Sequence, residues 1–165
     1  MKKLLIVRHG KSDWSEEELE DIDRPLKLRG VNNAYNMANR LLNKKIIPEY
    51  VISSPANRAL HTAVIFMSVI NIPYKQITIS NKLYFSSINA ILEEIYKTDN
   101  NISSIMLFGH NPTFTNFANS FMNNQIDNIP TSGVVILHFN VEKWKAINTN
   151  NLCEEYFDYP KKKNN

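Results

Sequence analysis

The chain alternates short apolar runs with longer segments whose apolar positions recur every three to four residues. Leu4–Val7 is a continuous apolar run, as expected of a strand covered on both faces. From Arg29 to Asn43 the residues Ala34, Met37, Ala38, Leu41 and Leu42 fall at helical spacing. Tyr50–Ser53 reads as a second strand. Ser54-Pro55 predicts the next helix start, with Ser as N-cap and Pro in the first turn. Ala59, Ala63, Phe66, Met67 and Ile70 form that helix's apolar stripe. Gln76–Ile79 is a weaker third strand. Ile88, Ile91, Leu92 and Ile95 mark a helix begun at Ser86 or Ser87. Ser104–Phe108 is a strand ending in Gly109. Asn111-Pro112 repeats the cap-plus-proline start, with Phe114, Phe117, Ala118 and Phe121 on the buried face. Val134–Phe139 is rich in β-formers, and Trp144–Ile147 is its expected antiparallel partner.

This alternation predicts an α/β fold, a three-layer sandwich with a mostly parallel central sheet flanked by helices. One domain is expected over residues 1–159, with Asn123–Asn128 as an exposed loop and 160–165 as a frayed basic tail. Composition narrows the class. With 165 residues, 43% hydrophobic and 21% charged, a disordered chain, a collagen and a coiled-coil rod are excluded. Cys153 stands alone, so no intrachain disulfide or thiolate cluster forms. The net charge of +3 has no clustered basic footprint, so no nucleic-acid partner is expected. The apolar runs fall short of the roughly 20 residues of a membrane span. The N-terminal run is broken by Arg8 and His9 before it reaches the length of a signal peptide. No membrane partner is expected, and the cytoplasm is the expected compartment.

Sites in such sheets lie at the carboxyl ends of the strands. The first strand is followed by Arg8, His9 and Gly10. The second is followed by Ser53, Ser54 and, one turn into the helix, Arg58. The later strand is followed by Gly109, His110 and Asn111. Two histidines and two arginines therefore converge on one edge. Two guanidiniums at one point call for an anion between them, and their planar forks match phosphate oxygens. Helix starts near Pro55 and Pro112 would add backbone N–H groups. A neutral imidazole beside a bound phosphoryl group can attack phosphorus. No acidic cluster has divalent-metal spacing, so neither metal nor cofactor is expected.

At these residues the chain resembles the histidine phosphatase superfamily, the relatives of phosphoglycerate mutase. The matching pieces are Leu4-Leu5-Ile6-Val7-Arg8-His9-Gly10-Lys11-Ser12, then Ser53-Ser54-Pro55-Ala56-Asn57-Arg58-Ala59-Leu60-His61-Thr62-Ala63, then Gly109-His110-Asn111-Pro112. The resemblance covers Lys3 to about Phe139. It implies a phosphoglycerate mutase-like fold. It also implies that His9 is the nucleophile that becomes phosphorylated, with Arg8, Arg58 and His110 around the phosphoryl group. Arg8-His9-Gly10-Lys11-Ser12, the stretch Asp21-Ile22-Asp23-Arg24-Pro25-Leu26 and Gly109-His110-Asn111-Pro112 resemble the short SixA-type phosphohistidine phosphatases. The mutases and sugar-phosphate phosphatases carry a longer insertion between the second arginine and second histidine motifs. Here only Ala59–Gly109 is available. An uncovered site of this kind favours a phosphorylated protein, such as a phosphotransfer domain, as substrate and partner.

The proton donor is left open. The mutase-like members carry a mid-chain Glu where this chain reads Leu83-Tyr84-Phe85-Ser86-Ser87. Asp21 and Asp23 are the candidate general acids. A phosphoramidate leaving nitrogen is easily protonated, so a weak acid suffices for phosphohistidine. Lys11 and Ser12 are candidates either to touch phosphate or to belong to a polar loop. Arg24 either extends the anion site or pairs with Asp21 or Glu20, and the structural pairing is the expected reading. His61 and His138 are read as structural, Glu16-Glu17-Glu18 as a solvated face, and Cys153 as no nucleophile. Two rivals are kept. One is a small-molecule phosphomonoesterase of the same fold, acting on a sugar, nucleotide or cofactor-precursor phosphate. The other is a non-catalytic phosphate-binding module.

Overall fold

The computed structural model describes residues 1–162. The first apolar run forms strand β1 (Lys2–Arg8). The chain continues through helix α1 (Leu28–Asn43), β2 (Tyr50–Ser53), α2 (Asn57–Ile70), β3 (Ile77–Ile79), α3 (Ile88–Lys97), β4 (Ser104–Gly109), α4 (Thr113–Asn119), β5 (Val134–Phe139) and β6 (Leu152–Asp158). One six-stranded sheet has the order β3-β2-β4-β1-β5-β6. The three pairs from β3 to β1 are parallel, and β1–β5 and β5–β6 are antiparallel. With β1 inside the sheet, Leu4, Leu5, Ile6 and Val7 are wholly buried. A strand with two covered faces has no polar side to show, so its sequence does not alternate.

Successive side chains serve opposite faces. Leu4 and Ile6 join Ile105, Leu107 and Leu137 in a core closed by Ile91 of α3 and by Phe114 and Phe117 of α4. Leu5 and Val7 join Met106 and Phe108 in a second core closed by Met37 of α1 and Phe66 of α2. Helices therefore cover both faces, giving the three expected layers. Each fully buried Leu, Ile or Phe contributes about 1.5–3 kcal/mol. No helix among the described residues is long and apolar enough to cross a membrane.

Several local expectations shift. Helix α2 begins at Asn57, with Ala56 rather than Ser54 at its N-cap position. Ser54 Oγ accepts from the Ala56 N–H at 3.3 Å but is also 2.8 Å from His110 Nε2, so it serves the sheet edge. Asn111 does not cap α4, whose N-cap position is Pro112. Its side chain instead accepts from Thr115 Oγ1 and donates to Asn128 Oδ1. Ser87 does cap α3, accepting from the Ala90 N–H at 3.2 Å.

Trp144–Ile147 does not pair with β5. Trp144–Ala146 is a 3-10 turn, and the partner strand is β6. Trp144 is wholly buried, donates its indole N–H to Ile102 O at 3.0 Å and lies 5.2 Å from Lys2 Nζ. Its apolar bulk fills the core beside the start of β1. Asn123–Gln125, Asp127 and Asn128 are exposed, as a polar loop should be.

The described part of the C-terminal segment is tied down rather than frayed. Arg40 donates to Asp158 Oδ1 at 2.9 Å, Tyr159 O at 3.2 Å and Pro160 O at 3.1 Å. Lys162 donates its N–H to Tyr159 O at 2.9 Å and its ammonium to Phe157 O. Positions 163–165 of the expected tail lie outside the described residues.

Candidate active site

Parallel register sets Arg8 opposite Gly109 and Ser53 opposite Phe108. The chain thus leaves β1, β2 and β4 along one edge, at His9, Ser54 and His110. Because β5 is antiparallel to β1, with Val134 opposite Val7, the loop before β5 reaches the same edge. From it Ser132 donates its N–H to Arg8 O at 3.0 Å and His9 O at 3.2 Å.

His9 is buried and locked. Its Nδ1 lies 2.7 Å from Gly10 O. A carbonyl only accepts, so Nδ1 carries the proton and Nε2 keeps its lone pair. The loop is pinned to α2 by Thr62, whose hydroxyl accepts from the Gly10 N–H at 2.9 Å and donates to Arg58 O at 2.6 Å. It is pinned to α1 by close packing. A Cβ at Gly10 would lie 2.9 Å from Gly30 O, and one at Gly30 would lie 2.4 Å from Lys11 O. Burial is the largest influence on the His9 pKa, which falls to about 4. The Gly10 bond opposes the fall, and Arg58 and Arg8 deepen it.

The His110 ring centroid is 5.0 Å from that of His9. Phe114 packs so closely on Gly109 that a Cβ there would lie 2.4 Å from its ring, which fixes the turn carrying His110. Burial first, then His9 and Arg58, lower the His110 pKa to about 3. His110 Nδ1 and Arg8 Nε are shielded from solvent and have no hydrogen-bond partner among the described residues. Other Arg8 contacts are to Ile129 O at 2.8 Å and Asn128 Oδ1 at 3.3 Å, both on the loop before β5.

Arg58 is buried and donates to Asp21 O at 2.5 Å and Asp21 Oδ2 at 2.9 Å. Tyr84 donates its hydroxyl to the same Oδ2 at 2.8 Å. Burial raises the Asp21 pKa, but the Arg58 and Tyr84 hydrogen bonds outweigh it, so the net direction is down. Burial, then the Asp21 contact, raises the Tyr84 phenol pKa. A cavity of about 450 Å³ opens here. Asp21, Arg58, Tyr84, Phe85 and His110 lie in its wall, which continues through Asn111 to Thr113.

Of the sequence candidates, His110, Arg58 and Asp21 line this cavity; His9 and Arg8 do not, but His9 lies against His110 and Arg8 ends the strand that His9 follows. Asp21 does not have the raised pKa a general acid needs; it is an ionised partner of Arg58. Asp23, Lys11 and Ser12 do not line the cavity. Asp23 accepts from Asn57 through its backbone carbonyl, Lys11 is exposed, and Ser12 Oγ accepts from Trp14 Nε1 at 3.0 Å. Arg24 makes no ion pair with Asp21 or Glu20. Its guanidinium stacks on Trp14 at 4.0 Å and donates to Glu16 O. His61 and Glu16–Glu18 are exposed, and His138 sits 3.2 Å from Glu154. Thr62, Tyr84 and Asn128 were not singled out from sequence as site residues, and Ser54 was placed at this edge only as a helix cap. Among the described residues no three His, Cys, Asp or Glu side chains are grouped to hold a metal ion.

Residues 4–83 match the model of the histidine phosphatase superfamily, branch 1. Phosphoglycerate mutase 1 of Saccharomyces cerevisiae is 37% identical over 65 residues, 38% of this chain and 26% of that protein. The matched segment thus spans about a quarter of the mutase's length. An uncharacterized protein of Mycobacterium tuberculosis is 27% identical over 141 residues, covering 79% of this chain and 85% of that one. Among solved structures, one assigned as phosphohistidine phosphatase SixA from Agrobacterium tumefaciens superposes with a TM-score of 0.75 at 25% identity, over 82% of this chain and 90% of that chain. The protein histidine phosphatase SixA complexed with tungstate superposes at 0.77 with 20% identity, over 96% and 97%. Residues 4–83 carry the signature of the histidine phosphatase superfamily, and the fold of the chain is that of its solved SixA structures.

Proposed function

We propose that this chain is a phosphatase that works through a phosphorylated His9, and that its substrate is phosphohistidine on a protein. The observation that carries the mechanism is the His9 Nδ1–Gly10 O hydrogen bond, which leaves Nε2 unprotonated beside His110 and near two arginines. In the first step the Nε2 lone pair forms a bond to phosphorus. The bond from phosphorus to the leaving atom breaks, and its electron pair goes to that atom. In the second step water attacks phosphorus, phosphate leaves, and Nε2 recovers its lone pair. Arg8, Arg58 and His110 hold the charge that builds on the phosphoryl oxygens. A bound dianion also favours protonated His110 and offers an acceptor to nitrogens that lack one in the protein.

The substrate class rests on the acids. Asp21 is ionised and Tyr84 is a weakened acid, so neither readily protonates a departing alkoxide at neutral pH. A phosphoramidate nitrogen accepts a proton far more readily. The test is phosphate release, without added metal, from a phosphohistidine-bearing phosphotransfer protein beside a panel of phosphate monoesters. Preferential hydrolysis of the phosphoprotein is expected, with none by His9→Ala. Preference for a sugar or nucleotide ester would move the function to small molecules. Normal turnover by pure His9→Ala protein would sink the mechanism, and binding of phosphate without release would leave a binding module.

A further inference from the structure

One residue in the cavity wall has no role in the chemistry above. Phe85 is 85% exposed, and its backbone has φ of +47°. That left-handed region is unfavourable for a bulky aromatic residue. The residues on both sides are anchored. Tyr84 is held by Asp21, and Ser86 O accepts from Thr113 Oγ1 at 3.0 Å. The Phe85 ring packs on Tyr84 with centroids 4.3 Å apart, and Tyr84 in turn lies 5.6 Å from His110. A continuous aromatic line therefore runs from the second site histidine to solvent and ends in an uncovered ring. Exposed Pro112 lies in the same wall.

We infer that Phe85 is a specificity-determining residue that docks against the apolar polypeptide surface surrounding the phosphorylated side chain of a substrate protein. This rests on the phosphohistidine reading above. Position points to the occupant: the ring stands in the wall of the cavity that reaches His110 and Arg58, with the His9 ring 5.0 Å from that of His110, so a protein presenting its phosphoryl group there lies against the ring. One face of Phe85 is already taken by Tyr84. Among the described residues in the wall, no other aromatic ring stands opposite it to sandwich a planar base. A one-sided ring beside Pro112 suits a broad apolar surface. Burying a phenyl ring in such a contact contributes substantially to association, while a small phosphoramidate lies inward of it.

The experiment compares wild type with Phe85→Ala and Phe85→Leu on two probes, a phosphohistidine-bearing phosphotransfer protein and imidazole phosphate. For Phe85→Ala, kcat/KM on the phosphoprotein is expected to fall about tenfold, mainly through KM, with turnover of imidazole phosphate within about twofold of wild type. Phe85→Leu, which keeps an apolar side chain, is expected to recover part of the loss. Equal loss on both probes, or loss on neither, overturns the inference while the phosphohistidine reading stands. Loss confined to a nucleoside phosphate overturns it in favour of base stacking. A wild-type protein inactive on the phosphoprotein overturns the reading itself, and this inference with it.

Discussion

Two arginine–aspartate pairs, Arg40–Asp158 and Arg58–Asp21, have the same 2.9 Å contact and opposite burial. In the first the aspartate side chain is 4% exposed and the arginine 22%. In the second the arginine is 8% exposed and the aspartate 35%. Arg40 spends its remaining donors on the backbone carbonyls of Tyr159 and Pro160, so the pair fastens the chain end to α1. Arg58 gives one donor to the backbone carbonyl of Asp21 and another to its half-exposed carboxylate, which lies in the cavity wall where water and a ligand can also reach it. Burying the anion makes a structural rivet. Burying the cation and leaving its anion at a cavity makes a group that can trade one oxyanion for another.

Three measurements can break this contrast. The largest effect is expected from Arg58→Ala, which removes a donor that bears on transferred charge. Turnover should fall about 10³-fold while the melting temperature barely moves, because Asp21 rehydrates. A comparable loss of stability would show that Arg58 is a rivet too. Arg40→Ala should do the reverse. It leaves a buried carboxylate unpaired, so denaturant unfolding should report a loss of about 3 kcal/mol, with kcat/KM unchanged for the folded fraction.

The third measurement is of pH dependence. The folded pKa values of His9 and His110, about 4 and about 3, lie below the usual histidine value. In the unfolded chain histidine titrates near about 6.5. Their contribution to stability is therefore complete above that pH and is lost as pH falls through the folded values. Melting curves should show an acid limb between about pH 6.5 and about pH 3, and phosphate or tungstate should reduce it. His9→Ala/His110→Ala protein with an unchanged limb would assign it elsewhere.

The parts of the site legible in sequence are those that directly follow parallel strands. His9 and His110 each sit one residue beyond a strand end, and Arg58 lies in the first turn of the helix that follows β2. Their convergence follows from the sheet alone. Asn128 and Ser132 escaped because they precede a strand. Only the antiparallel direction of β5, which local periodicity does not encode, brings that loop to the same edge. Tyr84 escaped because it follows a short edge strand and a 3-10 turn, and its partner Asp21 is 63 positions away. Trp144 misled for a related reason: an apolar cluster does not declare whether it pairs or packs. Asp21 and Asp23 looked alike as sequence, and only proximity to Arg58 separates them.

The close approach of Gly30 to Lys11 has a consequence for how this protein tolerates change. Gly30 lies inside α1, where alanine would favour the helix by about 1 kcal/mol, and it touches no group that handles phosphate. A methyl group there would meet the Lys11 backbone and push on the loop that aims the His9 lone pair. A helix-stabilising change would then be a disabling one, and a search for inactive variants would find a null site in a helix with no chemistry of its own.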